Sequence, residues 1–222
     1  MNLRAVAHDG AGLPTHEKVY RRLRDKVLYG DLAPGQPVTI QGLVEDLGVG
    51  MTPVREALRR LTAEGALQAL GNRRIVVPEL TADAVTQITG ARTALESQLA
   101  HKAVEHASSA QIDDLVRIDL RLDDAITNGD IPGYLRENHA FHIGLYQIAN
   151  APIVEALVLS LWLRFGPSLR VVCGQFGTRN LPDRHKELIA ALRKGDGDAA
   201  ALAMKEDVVQ GMAQIMKGIT QG

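Results

Sequence analysis

Cysteine is nearly absent from this chain. Cys173 stands alone among 222 residues, so no internal disulfide is possible. It reads either as a buried thiol within a helix or as a redox-sensing group. Aromatic residues make up only 4% of the chain, so its core must be built mainly from Leu, Ile, Val and Ala, a composition that leans helical. Net charge is lacking too: 25 Lys and Arg face 26 Asp and Glu, for a formal −1, which excludes a global polycation of the kind that announces nucleic acid. No apolar run approaches the roughly 20 residues that a membrane span needs. The first 14 residues are short and rich in Gly and Ala, and without a long apolar stretch they read as a loose tail rather than a signal peptide. These absences predict a cytoplasmic protein with no membrane partner.

What is present is an ordinary globular composition, 45% hydrophobic and 23% charged, with an uneven distribution of charge. Residues 1–77 hold 11 basic and 8 acidic side chains, whereas the remainder holds 14 and 18. That modest asymmetry fits a front that faces nucleic acid and a near-neutral back.

The pattern of the chain divides it. Residues 15–30 predict a first helix, capped by Thr15, with Val19, Leu23, Val27 and Leu28 at helical spacing and Gly30 at its end. Residues 31–37 form a Pro- and Gly-rich turn. A short helix follows over 39–47, stopped by Gly48. A third starts at Thr52, a good N-cap, with Pro53 at the first helical position and Val54, Ala57, Leu58 and Leu61 as its apolar stripe. The runs 66–70 and 75–77, joined by Gly71-Asn72-Arg73-Arg74, predict a small hairpin with a basic tip. Beyond Pro78 the pattern is helical almost to the end, over 81–106, 109–128, 131–149, 152–173, 179–194 and 197–217. Ser108 and Gln111 make a capping box, and Gly129, Pro132, Pro152, Pro182 and Gly195 are the punctuation. The expected layout is mainly α: a tail over 1–14, a winged helix-turn-helix over 15–77, a linker over 78–80, and an all-helical domain over 81–222.

Two short helices joined by a tight turn and followed by a basic hairpin form a winged helix-turn-helix, whose second helix enters the major groove. Arg55 and Arg59 are i,i+4 neighbours opposite its apolar stripe, with Arg60 flanking. A guanidinium fork bonds guanine edges or phosphates, and Arg73 and Arg74 on the wing reach phosphates or the minor groove. Thr52, Arg55, Arg59, Arg60, Arg73 and Arg74 are therefore the expected contacts to double-stranded DNA; the bland alternative is that these arginines merely solvate a surface helix. On these residues the stretch 23–77 resembles the DNA-binding domain of the GntR family. The matching residues are Gly30-Asp31-Leu32-Ala33-Pro34-Gly35, Leu47-Gly48-Val49, Thr52-Pro53-Val54-Arg55-Glu56-Ala57-Leu58, Leu61 and Glu64-Gly65. The resemblance implies a homodimer on a pseudo-palindromic operator. One departure matters: Gly50 and Met51 stand where the family usually has a serine and a base-contacting arginine, so Arg55 must carry more of the readout.

In the helical half the useful signal is polar residues on apolar stripes. Arg92 interrupts the stripe of Val85, Ile88, Leu95 and Leu99, and a buried guanidinium needs a partner, either a carboxylate such as Glu96 or a ligand anion. Asn138 and His142 share one face, His185 lines up with Leu188, Ile189 and Leu192, and Asp207 neighbours Met204, Val208, Gly211 and Ile215. Imidazoles with a carboxylate suit zinc, nickel or a similar divalent ion; each histidine alone reads equally as a hydrogen-bonded core residue. Arg164 and Arg170 read as solvent-exposed, with the same pocket as the lesser alternative. Residues 81–217 resemble the FCD ligand-binding domain of the FadR subfamily, on Arg92-x-x-Leu95-Glu96, Asn138-x-x-Phe141-His142, Ala149-Asn150, His185-x-x-x-Ile189, Gly195-Asp196 and Met204-x-x-Asp207. The resemblance implies a divalent metal held by an aspartate and three histidines, and a small organic or sugar acid as effector, with Arg92 at a position that often pairs with the effector carboxylate. Here His142 and His185 match two of the histidines, Asn138 replaces the aspartate, and Asp207 replaces the last histidine.

The leading reading is thus a transcriptional regulator, most commonly of the repressor type, that senses a small acid. Two others compete: a regulator whose helical domain is metal-free and only dimerises, and a metal-dependent enzyme with a DNA-binding appendage. The enzyme reading lacks a general base and a nucleophile motif.

Overall fold

The protein is described here by a computed structural model over residues 13–71, 74–176 and 184–221. Arg73, most of the expected tail, Pro182 and the start of the helix expected at 179 lie outside the described residues. The chain is mainly α, with a winged helix-turn-helix followed by an all-helical domain. The order is α1 (Thr15–Leu28), β1 (Pro37–Val38), α2 (Ile40–Leu47), α3 (Met51–Ala63), β2 (Gln68–Leu70), β3 (Arg74–Val76), α4 (Ala82–His106), α5 (Ser109–Asn128), α6 (Ile131–Ala149), α7 (Pro152–Phe176), α8 (Arg184–Lys194) and α9 (Gly197–Gln221).

Helix starts follow capping chemistry, with two corrections. Thr39 accepts from the Gly42 amide at 3.1 Å and starts α2; Thr81 does the same for α4, and Ser108 with Gln111 closes the expected box on α5. Thr15, however, does not cap α1. Pro14 holds the N-cap position and Thr15 is already helical. Nor does Thr52 cap α3, which starts one residue earlier with Gly50 as an N-cap that has no side chain to offer. Pro53 therefore falls at the third helical position. It is tolerated there because that amide still has no intrahelical acceptor.

A third strand was also hidden. Residues 31–37 read as a turn, yet Pro37 and Val38 pair antiparallel with Val76 and Ile75. The sheet order is β1-β3-β2, so Pro37 lies on an edge, where a missing N–H costs no ladder bond. In the wing, Gln68 pairs with Val76 and Leu70 with Arg74.

The chain divides into two compact units. One contains the helix-turn-helix and wing up to Leu80, together with Ser160–Val171 from the middle of α7. The other contains Thr81–Leu159 and the chain from Val172 onward. The expected single division at 78–80 thus misses that the middle of α7 groups with the helix-turn-helix. This middle stretch packs onto the ends of two helices. At Gly65, just past α3 with φ +76°, a Cβ would lie 2.4 Å from an Arg164 guanidinium nitrogen, and Arg164 Nη2 donates to the Glu64 carbonyl at 3.4 Å. At Gly166 a Cβ would lie 2.4 Å from the Leu28 carbonyl oxygen, so only glycine allows the approach. Arg170 packs its stem at Gly30, and its Nη1 is buried. Arg164 is exposed, as expected from sequence, while Arg170 is half-buried rather than simply solvent-facing.

The long α7 also corrects the reading of apolar runs. Pro152–Gly174 is long and apolar enough, by length and composition alone, to cross a membrane, although more than half of it is buried within the fold, including Trp162, Phe165 and Leu169.

In the helical unit, α4 packs on α9 and α6, α5 packs on α6 and α8, and α8 packs on α9. The interior between these five helices holds Leu99, Leu115, Phe141, Leu145, Tyr146 and Leu188, and also a group of charged side chains.

Candidate DNA interface and metal centre

The outer face of α3 follows directly from its inner one. Val54, Ala57, Leu58 and Leu61 are buried, which turns Met51, Thr52, Arg55, Glu56 and Arg59 to solvent. Met51, Arg55 and Arg59 fall at i, i+4 and i+8, one line along that face. Arg59 makes only a loose pair with Glu56 at 3.9 Å, with 79% of its side chain exposed. Arg55 borders a cleft with Ile40, Ala69, Arg74 and Ile75, which brings the helix and the wing arginine to one place. The result is a convex helix with unspent guanidinium groups beside a basic wing, a surface suited to a grooved polyanion.

Arg60 does something else. Its guanidinium lies 3.5 Å above the Tyr20 ring centroid and bonds Glu17 at 3.0 Å and Glu64 at 3.1 Å. The Tyr20 hydroxyl donates to Glu64 in turn, at 2.8 Å to the nearer oxygen. Burial, then Glu64, push the Tyr20 hydroxyl up to about 12. Arg60 therefore ties α3 to α1, a role its sequence reading did not include, with 48% of its side chain still exposed.

The second site is built by five helices. Arg92 and Glu96, one turn apart on α4, form a buried two-pronged pair, with Nε to Oε1 at 2.5 Å and Nη2 to Oε2 at 3.2 Å. Of the two partners expected for Arg92, the carboxylate of Glu96 is the one it faces. Glu96 Oε2 also accepts the Tyr146 hydroxyl at 2.6 Å, and Tyr146 lies 3.1 Å from His142 Nδ1. With its own proton directed to Glu96, that hydroxyl accepts from Nδ1–H, so a neutral His142 ring would carry its lone pair on Nε2. Nε2 faces Asp207 Oδ2 of α9 at 3.2 Å.

His185 of α8 repeats the arrangement. Its Nδ1 lies 3.2 Å from the buried carboxylate of Asp119 on α5, and its Nε2 faces Asp207 Oδ1 at 3.8 Å. Its ring is stacked on Phe141, with centroids 3.8 Å apart and planes 8° from parallel. Asn138, one turn before His142 on α6, is buried as well. His142, His185 and Asp207 each offer a ligand atom, all within 4.8 Å of one another. Two ligands of a common ion at roughly 2.1 Å stand about 3.4 Å apart at a tetrahedral angle, so the two imidazole–carboxylate spacings fit one divalent ion. The donor set is chemically apt too, since each imidazole has its far nitrogen fixed by a carboxylate or by a hydroxyl bonded to one.

Electrostatics bind the group together. Burial pushes Asp207 up, but His142, His185 and Arg92 outweigh it and hold the carboxyl near 2. Burial likewise opposes the charge on Glu96, and Arg92 and His142 win, keeping it below the carboxylate range. For His142 burial lowers the pKa, while Asp207 and Glu96 more than offset this and raise it. Tyr134, on α6, is raised above the ordinary phenol range by burial, then by Cys173 and Asp207.

Sequence reasoning missed Asp119 and Tyr146. Both carried a signal: Asp119 breaks the apolar stripe of Ile112, Leu115, Ile118 and Leu122, and Tyr146 continues the four-residue spacing of Asn138 and His142.

Comparison with known proteins joins the two sites. Residues 15–77 match the bacterial regulatory proteins of the gntR family, and residues 87–210 match the FCD domain. The chain belongs to the FCD-domain family, and it carries a DNA-binding domain of the gntR family ahead of that domain. The regulator is 29% identical to the HTH-type transcriptional regulator McbR of Escherichia coli K12, over 88% of this chain and 90% of that one. It is 26% identical to the HTH-type transcriptional repressor RspR of the same organism, over 94% and 91%. A solved structure of E. coli McbR/YncC superposes with a TM-score of 0.87 at 27% identity, covering 93% of this chain and 99% of that one. A putative GntR regulator from Rhodococcus sp. RHA1, at 23% identity and a TM-score of 0.74 over 91% and 97%, shares the fold. These relatives are transcription regulators, not enzymes. This regulator accordingly pairs a DNA-binding helix-turn-helix with an FCD effector domain.

Proposed function

We propose that this regulator is a cytoplasmic, homodimeric repressor of the FadR type. In this reading its helical unit senses a small organic or sugar acid through a divalent ion of the zinc or nickel class. The ion would be held by His142 Nε2, His185 Nε2 and Asp207, with the Asn138 amide oxygen as a weak fourth ligand or as the anchor of a bound water. The observation that carries the reading is that both imidazoles have Nδ1 already engaged, by Tyr146 and by Asp119, while both Nε2 atoms turn to the same carboxylate. An ion with three protein ligands keeps open positions, which suit the carboxylate or hydroxyl of an acid. Arg92 then supports the centre through Glu96 rather than by gripping the effector. The repressor sense rests on RspR, whose name states it.

On the DNA side, Arg55, Arg59 and Arg74, with Thr52 at the helix start, contact the operator, and Arg60 holds α3 in place. Effector binding changes operator affinity to the extent that it favours one arrangement of the dimer over another.

Metal analysis of protein purified without a histidine tag tests the reading. It is expected to find near-stoichiometric divalent metal, lost in His142→Ala. A metal-free protein that still answers a carboxylate in a thermal-shift panel would replace it with the purely organic site.

A further inference from the structure

We infer that Met51 reads the 5-methyl group of a thymine, so that it sets part of the operator sequence; this rests on the DNA-binding reading of α3. Met51 is the first residue of α3 and is 58% exposed, a large apolar side chain on an otherwise polar face. It is aligned with Arg55 and Arg59 along the outer line of the helix. In a helix-turn-helix the N-terminal residues of this helix reach the base edges. Gly50, just before it, has no side chain, and a Cβ there would meet nothing within 4 Å, so the approach to Met51 from that side is open.

Chemistry then narrows the target. A thioether donates no hydrogen bond and accepts weakly, so it cannot satisfy the hydrogen-bonding edge of guanine, adenine or cytosine. The thymine methyl is the apolar feature that the major groove displays. A methionine is flexible enough to cover it and gains by leaving water. An isolated exposed methionine elsewhere on the surface would call for no explanation. Here it occupies the line of residues that the buried stripe of α3 turns outward.

The operator sequence emerges from the test itself. Duplexes bound by the full-length regulator are enriched from a random pool, and each thymine of the consensus is replaced in turn by deoxyuridine, which deletes only the methyl group. Uracil at one position per half-site is expected to weaken binding about three- to fivefold, the value of one buried methyl. In Met51→Ala that penalty disappears, and in Met51→Leu it is retained; an unchanged melting temperature verifies that both variants fold. An enriched duplex indifferent to uracil at every thymine overturns the assignment and leaves DNA binding standing, as does a penalty that survives in Met51→Ala. A regulator that enriches no duplex overturns the DNA-binding reading, and this one with it.

Discussion

The two units of this regulator handle charge in opposite ways. In the helix-turn-helix, Arg55 and Arg59 stand on the surface with loose partners or none among the described residues. In the helical unit, Arg92, Glu96, Asp119, His142 and His185 are all buried and face one another or Asp207. A surface cation waits for an outside anion at little cost to the fold. A buried charge must already have its partner, because an uncompensated one costs several kcal/mol. Arg60 shows the first pattern giving way to the second within a single helix, since Glu17, Glu64 and Tyr20 claim it.

The sharpest way to break the comparison is to remove one buried carboxylate. Glu96→Ala removes the two-pronged carboxylate partner of the buried Arg92 and should cost about 3–5 kcal/mol in denaturant unfolding. A loss below about 1 kcal/mol would mean that Arg92 finds water or another partner, and that the interior charge is less committed than its geometry shows. Arg55→Ala should do the reverse. Unfolding stability should stay within about 0.5 kcal/mol, while operator binding in a gel-shift titration falls by about 1–3 kcal/mol. Unchanged affinity would remove Arg55 from the interface.

A third prediction concerns the stretch of α7 that groups with the helix-turn-helix. Gly166→Ala places a methyl group against the Leu28 carbonyl and should destabilise by about 1–3 kcal/mol. A neutral result would show that α7 gives way there. The smallest effect is at alkaline pH. The Tyr20 hydroxyl is raised from 10.0 to about 12, so its folded-state proton is retained while the unfolded chain loses its own. Stability should therefore fall as pH rises from 10 to about 12. Chemical unfolding at pH 9 and 11 should show a smaller fall in Tyr20→Phe. An equal fall in the two proteins would place the alkaline sensitivity elsewhere.

Much of this was legible in the chain itself. Helical spacing separated the inner and outer faces of α3 because a 3.6-residue period leaves no choice once four apolar positions are buried. The pair Arg92 and Glu96 was visible as one of two possibilities, being a single turn apart. Asn138, His142, His185 and Asp207 stood out as polar residues on apolar stripes. The part of the centre that fixes the imidazoles was not legible, because Tyr146 is 50 residues from Glu96, and His185 is 66 from Asp119. Residues so far apart in the chain meet only when helices pack.

By itself, then, the sequence determined which helices form, where most of them stop, and which face of each is apolar, since these depend on neighbours within a few residues. Tertiary structure decided the allegiance of each charged group. It engaged Arg60 with Tyr20, Glu17 and Glu64, gave Arg92 to Glu96, and grouped the middle of α7 with the helix-turn-helix. It also turned two imidazole nitrogens and one carboxylate toward a common point. The physical reason is that periodicity fixes the direction in which a side chain leaves its own helix, whereas its partner lies on another helix whose position only packing sets.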